Sequence, residues 1–430
     1  MAGLSAGRSG GAASGTASGL LLAPVLLTPA GRPPVRGEGQ AQLSVYREAA
    51  LAWAEGVITY AGPASDLPES ARPADPSRVH RAAGAVVPGF VDCHTHLPFF
   101  GWRADEFEAR LAGRSYRDQH GEGGIYRSAR LLAEASEEEV LEFCQALAEE
   151  MLAHGTTALE LKTGYGLSVE AELRQARLAR RLAAEVPQTA TVTLLACHAV
   201  PAGRSREEWV DEVCRELIPN AAREDLADAV DVYVEDIAFG VDDLRKVAEV
   251  ARGFGLEVRC HADQLGPSGA AEAAVACGAR SADHLNHVSA EGVRALASAE
   301  TAAVLCPVST LFLGLPPPPA RDLLTAGAAV ALATDFNPGT APCLSVPEAM
   351  ATAAALYRLL PATALAAATL NAAWVLGLDE GHGSLEPGKR ANFLVLDTED
   401  LALVPYRPGH NPVRETWVGG RRVVHRGSRG

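Results

Sequence analysis

Pro88-Gly-Phe-Val-Asp-Cys-His-Thr-His-Leu97 is a short apolar run that closes on two histidines one residue apart. Its length and its opening Pro-Gly suit a buried β-strand. Seven further runs of this kind follow, at Thr157–Thr163, Ala190–His198, Ala229–Glu235, Leu256–His261, Arg280–His284, Ala302–Cys306 and Ala328–Thr334, and the first is Val86–His94. Ala/Leu/Glu/Arg-rich helical text separates them. Eight strand–helix units in a row predict a (β/α)8 TIM barrel over residues 88–379, with its chemistry at the C-terminal ends of the strands. Most of the runs end in a residue able to do chemistry: His94 and His96, Lys162, His198, Glu235, His261, His284 and Asp335.

Outside this core the pattern changes. Residues 1–19 are Gly/Ala/Ser-rich and read as a disordered leader. Residues 20–87 and 380–430 hold short apolar runs broken by Gly, Pro and Asn, such as Val57-Ile-Thr-Tyr60 and Asn392-Phe-Leu-Val-Leu-Asp397. They predict one small β-sandwich domain assembled from both termini. The run Leu20–Leu27 contains Pro24 and is too short to span a bilayer, so it reads as a first strand, with the cytoplasm as the expected compartment. No membrane partner is expected.

The chain has 430 residues, 38 basic against 53 acidic, for a formal charge of −15. Nucleic acid is therefore an unfavourable partner, and a small anionic substrate would need its own cation inside the site. The eight Cys include no C-x-x-C pair, which argues against a disulfide framework or a zinc ribbon. Cys93, Cys197 and Cys260 each precede a candidate His, and alternation turns them toward the surrounding helices as small apolar residues.

In an extended chain, residues i and i+2 share a face, so His94 and His96 both point into the barrel. His261 at the fifth run and Asp335 at the eighth complete a set of three imidazoles and one carboxylate. That set suits a first-row divalent ion and leaves room for water, as a catalytic site requires.

These residues resemble the amidohydrolase superfamily of metal-dependent hydrolases. The likeness is carried by Pro88-Gly-Phe-Val-Asp-x-His-Thr-His, a fifth-strand His, Ser281-Ala-Asp-His284 and Thr334-Asp335. Within the superfamily the chain is similar to the members that open the ring amide of 4-imidazolone-5-propanoate to N-formimidoyl-L-glutamate in histidine degradation. Phe107-Glu-Ala-Arg-Leu-Ala-Gly-Arg-Ser-Tyr116, Lys162-Thr-Gly-Tyr-Gly-Leu167, His198-Ala-Val-Pro201, His261-Ala-Asp-Gln-Leu265 and Ala333-Thr-Asp-Phe-Asn-Pro-Gly339 carry that narrower likeness, from about residue 20 to the end. The resemblance implies one Zn2+ or Fe ion on His94, His96, His261 and Asp335. It implies a substrate pocket lined by Arg103, Tyr165, His198, Gln264, Asn337, Gly339 and Thr340, with Tyr116 near the carboxylate. It makes His284 the group that polarises or orients the reacting carbonyl, and it implies a homodimer. The residue types agree: Arg103 offers a carboxylate two parallel hydrogen bonds, and Asp335 keeps one oxygen free to take a proton from water. Gln264 can hydrogen-bond ring atoms but is no base.

Three departures stand out. Trp102 replaces a small residue beside Arg103, Ala196-Cys197 replaces Gly-Ala before His198, and Gln264 stands where some members carry Glu. Lys162 invites comparison with a carbamylated lysine, but it reads as a barrel-interior or pocket cation. The nearest alternative is a nucleobase deaminase, which would use a Glu at position 264 and has no need of Arg103. The alternative from another class is a scaffold that has lost its metal, and all four ligands are present here.

Overall fold

The computed structural model describes residues 18–115 and 123–427. Tyr116 and nearly all of the Gly/Ala/Ser leader lie outside the described residues.

Eight strands form one mixed sheet from the two ends of the chain: β1 (Gly19–Pro29), β2 (Leu43–Ala54), β3 (Val57–Pro63), β4 (Val79–Arg81), β5 (Val86–Pro88), and later β14 (Phe393–Leu396), β15 (Val413–Val418) and β16 (Arg421–His425). Their order is β16-β15-β14-β5-β1-β2-β3, and β4 pairs with β1. Antiparallel pairing dominates, with Leu22 opposite Ala50 and Phe393 opposite Pro88. Alternation splits the apolar residues between faces. Leu21, Leu51, Trp53, Phe393 and Trp417 pack together on one side, their aromatic ring centroids 5.1–5.5 Å apart, while Leu20, Ala50, Ala52 and Leu67 pack on the other.

The chain then crosses into the barrel at Gly89. A Cβ built there would stand 2.2 Å from Thr157 Oγ1, so only glycine fits the crossing. The run read as one strand, Val86–His94, is thus two: β5 stays with the terminal sheet, and the barrel begins at β6 (Phe90–Asp92). Next come β7 (Thr156–Lys162), β8 (Thr189–Cys197), β9 (Ala229–Val234), β10 (Glu257–Ala262), β11 (Ser281–His284), β12 (Ala302–Leu305) and β13 (Val330–Leu332). Each pairs in parallel with the next. The ring is drawn together between its first and last strands by a parallel bridge from Thr95 to Phe336, by the His96 N–H donating to Phe336 O (2.9 Å), and by Thr334 donating from N and Oγ1 to Asp92 (3.0 and 2.5 Å). Helices follow the strands, as expected for parallel crossovers. The longest include Glu137–Ala153, started by a Ser136/Glu139 capping box, and it leans Phe143 on the loop after β6.

The apolar shell between barrel and helices holds Cys93, Cys197 and Cys260, all fully buried and free. No helix among the described residues is long and apolar enough to cross a membrane.

Candidate active site

The barrel interior is polar. Period-two alternation along β7 points Glu160 and Lys162 inward, and along β10 it does the same for Arg259 and His261. Lys162 Nζ lies 2.8 Å from Glu160 and 2.7 Å from Asp231, while Arg259 pairs with Glu160 and reaches Val375 O. Although burial opposes its charge, Asp231 and Glu160 hold the Lys162 ammonium above its usual range. Lys162 therefore stays a cation locked between two acids.

Above this layer stand the histidines. His94 and His96 project from the extended segment after β6, their ring centroids 5.3 Å apart. His261 ends β10 with its ring 4.5 Å from that of His94. His284 ends β11 with its ring 5.2 Å from both His94 and His261. Asp283 and His284 are sequence neighbours yet both face inward, because the backbone at His284 takes φ +76° and breaks the alternation. Asp335 at the end of β13 turns in by the same device, at φ +56°. Strain of this kind persists only where surrounding structure holds it.

The donor atoms of His94, His96 and His261 lie within 4.8 Å of one another, as do those of His94, His284 and Asp335. Nδ1 of His94 is 2.5 Å from Asp283, and Nδ1 of His261 is in close contact with Asp231 at 3.0 Å. The Asp283 carboxylate takes the Nδ1 proton of His94 and leaves its Nε2 with the lone pair, while Asp231 stands beside His261 as its counter-charge. Nε2 of His94, His261 and His284 is buried without a hydrogen-bond partner. Unpartnered buried ring nitrogens of this kind, in two donor groups that share His94, fit a metal ion. His96 Nε2 sits 3.2 Å from Asp335 Oδ1, and its own Nδ1 is buried and unbonded. Burial lowers His94 and His96 from the usual imidazole range and pushes His284 down to about 3, so all three are neutral, as ligation requires. Burial opposes a charge on His261 as well, but the Asp231 carboxylate outweighs it and raises the group.

A cavity of about 30 Å3 opens on this cluster, lined by His96, Arg103, Ile125, Tyr165, His198, Tyr233, His261, Gln264, His284, Asp335, Asn337 and Thr340. Arg103 is 3% exposed, and its Nε and Nη1 carry no hydrogen bond. Its nearest carboxylate is Glu106, 3.6 Å from Nη1. Gly339 is the close neighbour of that guanidinium: a Cβ there would fall 1.9 Å from Nη2. Asn337 lines the cavity but spends its side chain on the loop, with Oδ1 accepting from Gly339 N, Thr340 N and Thr340 Oγ1 and Nδ2 donating to Asp335 O. His198 stacks on His96 at 5.2 Å. The Gln264 and Leu265 N–H groups donate to Glu235 Oε1 at 2.6 and 2.8 Å, which makes Glu235 a loop anchor.

Sequence reading missed Asp231, Glu160 and Arg259. The signal was present: each is a charged residue two places before an inward-facing residue on its strand. Tyr233 and Ile125 carried no such mark.

The amidohydrolase family matches residues 85–423, most of the chain. The chain belongs to the amidohydrolase family. Among its relatives is the imidazolonepropionase of Rubrobacter xylanophilus, 45% identical over 89% of this chain and 92% of that protein. The imidazolonepropionase of Deinococcus radiodurans is 42% identical over 91% and 96%. This amidohydrolase also resembles the solved structure of a zinc-bound adenosine deaminase from Xanthomonas campestris, with TM-score 0.69 and 21% identity over 94% of this chain and 92% of that one. A guanine deaminase from Bradyrhizobium japonicum superposes with TM-score 0.72 and 17% identity over 95% and 100%. At those identities the two deaminases speak for the fold alone. The amidohydrolase family is metal-dependent, in keeping with the histidine cluster.

Proposed function

We propose that this amidohydrolase is an imidazolonepropionase: it adds water to the ring carbonyl of 4-imidazolone-5-propanoate and breaks the adjacent C–N bond to give N-formimidoyl-L-glutamate. One observation supports the substrate class above others. A buried guanidinium with two unbonded nitrogens opens on the same cavity as the histidine cluster, an arrangement that asks for an anionic group on the substrate.

His94, His96, His261 and Asp335 are the residues that would hold a Zn2+ or Fe ion, which when bound supplies Lewis acidity and lowers the pKa of water toward ~7. Arg103 takes the propionate through its planar fork, fixing where the ring lies. Tyr165 and His198 flank the ring, and Gln264 hydrogen-bonds its polar atoms. His284 is neutral and, as the Nε2–H tautomer, donates to the carbonyl oxygen as charge develops there. Asp335 accepts the proton of the attacking water and returns it to the departing ring nitrogen. No carboxylate stands at position 264 to take that task.

A spectroscopic assay with freshly made 4-imidazolone-5-propanoate, run beside cyclic amides without a carboxylate and a panel of nucleobases, tests the reading. Turnover of the first alone is expected. Deamination of a nucleobase with no ring opening would overturn it.

A further inference from the structure

The loop that carries Arg103 has no regular secondary structure between Leu97 and Arg103, yet its guanidinium is one of the best-buried cations in the molecule. What holds it is a second strip of chain, Phe336–Gly339, docked against it at three places. The Arg103 N–H donates to Pro338 O at 3.1 Å, and the guanidinium lies against Gly339. The third contact is made by Trp102. Its indole meets Phe336 edge-on at 6.0 Å, Phe99 at 5.5 Å and Phe143 at 5.9 Å, and Phe99 also touches Phe336 at 5.6 Å. Trp102 is 41% exposed, so it is not a core residue forced into place by burial. Beside the indole lies a hollow of about 430 Å3, lined also by Phe336, Leu344 and His410. Without the indole, the loop has open space to relax into.

Phe336 lies between Asp335 and Asn337, and both line the cavity. The aromatic cluster therefore ties the anion-binding loop to the loop that bears the inferred ligand and proton carrier. We propose that Trp102 is a positioning residue for substrate binding: its aromatic contacts hold the Arg103 guanidinium in place against the Asp335 loop, ready to receive the substrate carboxylate. This rests on the reading that Arg103 receives the substrate carboxylate.

The test is a double-mutant cycle of Trp102→Ala and Arg103→Ala, with Trp102→Phe as the conservative rescue and bound metal measured in every variant. Trp102→Ala is expected to raise KM about tenfold, the scale of one or two lost aromatic contacts, while kcat stays within about twofold and metal content is unchanged. Trp102→Phe should recover most of the KM. In the Arg103→Ala background, Trp102→Ala should add nothing, since the group it positions is gone. An unchanged KM in Trp102→Ala beside a raised KM in Arg103→Ala overturns the proposal and leaves the Arg103 reading standing. The same fold-change in both backgrounds also overturns it. A silent Arg103→Ala overturns both. Should Trp102→Ala fail to fold, Trp102→Leu keeps apolar burial without the ring and is expected to raise KM in the same direction, with an unchanged KM counting against the proposal.

Discussion

In the proposed mechanism Asp335 has the most tasks of any residue. Its carboxylate sits 3.2 Å from His96 and 3.5 Å from His94, and its backbone is held at φ +56° by the loop that follows it. Burial opposes its ionisation, but the hydrogen bond to His96 and the neighbouring imidazoles hold its carboxyl below the usual range, so it is ionised at neutral pH. Asp335→Asn keeps the size and one coordinating oxygen while removing basicity. Metal content should be largely retained and kcat should fall by ~10² or more, the scale of general acid–base catalysis. Near-normal kcat with full metal would move the proton to His284 or another group. Gly339 illustrates a different necessity: it was read as a pocket residue, and its part is to leave room for the Arg103 guanidinium.

Among the elements, the turn before β14 carries a pH dependence that owes nothing to the active site. His382 is buried there, its Nδ1 accepting from Asn392 Nδ2 at 3.2 Å. Burial, helped by Arg390 and Lys389, pushes its imidazole down to about 4. The unfolded chain binds this proton near the ordinary value of 6.5 and the folded one refuses it until about 4, so stability falls as pH drops through that window. At pH 5 the cost is about 2 kcal/mol. Thermal unfolding of wild type and His382→Gln at pH 7 and pH 5 checks this: the variant should lose less stability between the two pH values by about that amount. Equal losses would remove His382 as the cause. The turn itself follows from Gly381 and Gly383 around this histidine, text that reads as a strand connection without disclosing that its middle residue is buried.

For the whole molecule, the barrel interior is short of positive charge. Among the described residues, Asp92, Glu160, Asp231, Asp283 and Asp335 are buried there beside Lys162 and Arg259, and burial pushes the Asp92 and Asp283 carboxyls up to about 7. A divalent cation among His94, His96, His261 and Asp335 offsets part of that imbalance, so the ion should stabilise the fold as well as serve the reaction. Dialysis against a strong chelator is expected to abolish activity and lower Tm, and Zn2+ or Fe2+ should restore both. Full activity at substoichiometric metal would sink the site. The barrel and the placing of His94, His96, His261 and Asp335 at its strand ends were legible in the sequence, because a buried parallel strand must be apolar over its length and carry its chemistry where it emerges, and that requirement is local. Where β5 ends and β6 begins was not legible, since the split at Gly89 depends on how closely Thr157 approaches. Nor was the inward turn of His284 and Asp335, which needs a backbone reversal that strand alternation alone argues against. The Glu160–Lys162–Asp231 layer and the Trp102 cluster were decided only by the tertiary structure, because Asp231 reaches Lys162 from another strand, and the Trp102 and Phe336 rings meet only once the loops after the first and last barrel strands come together.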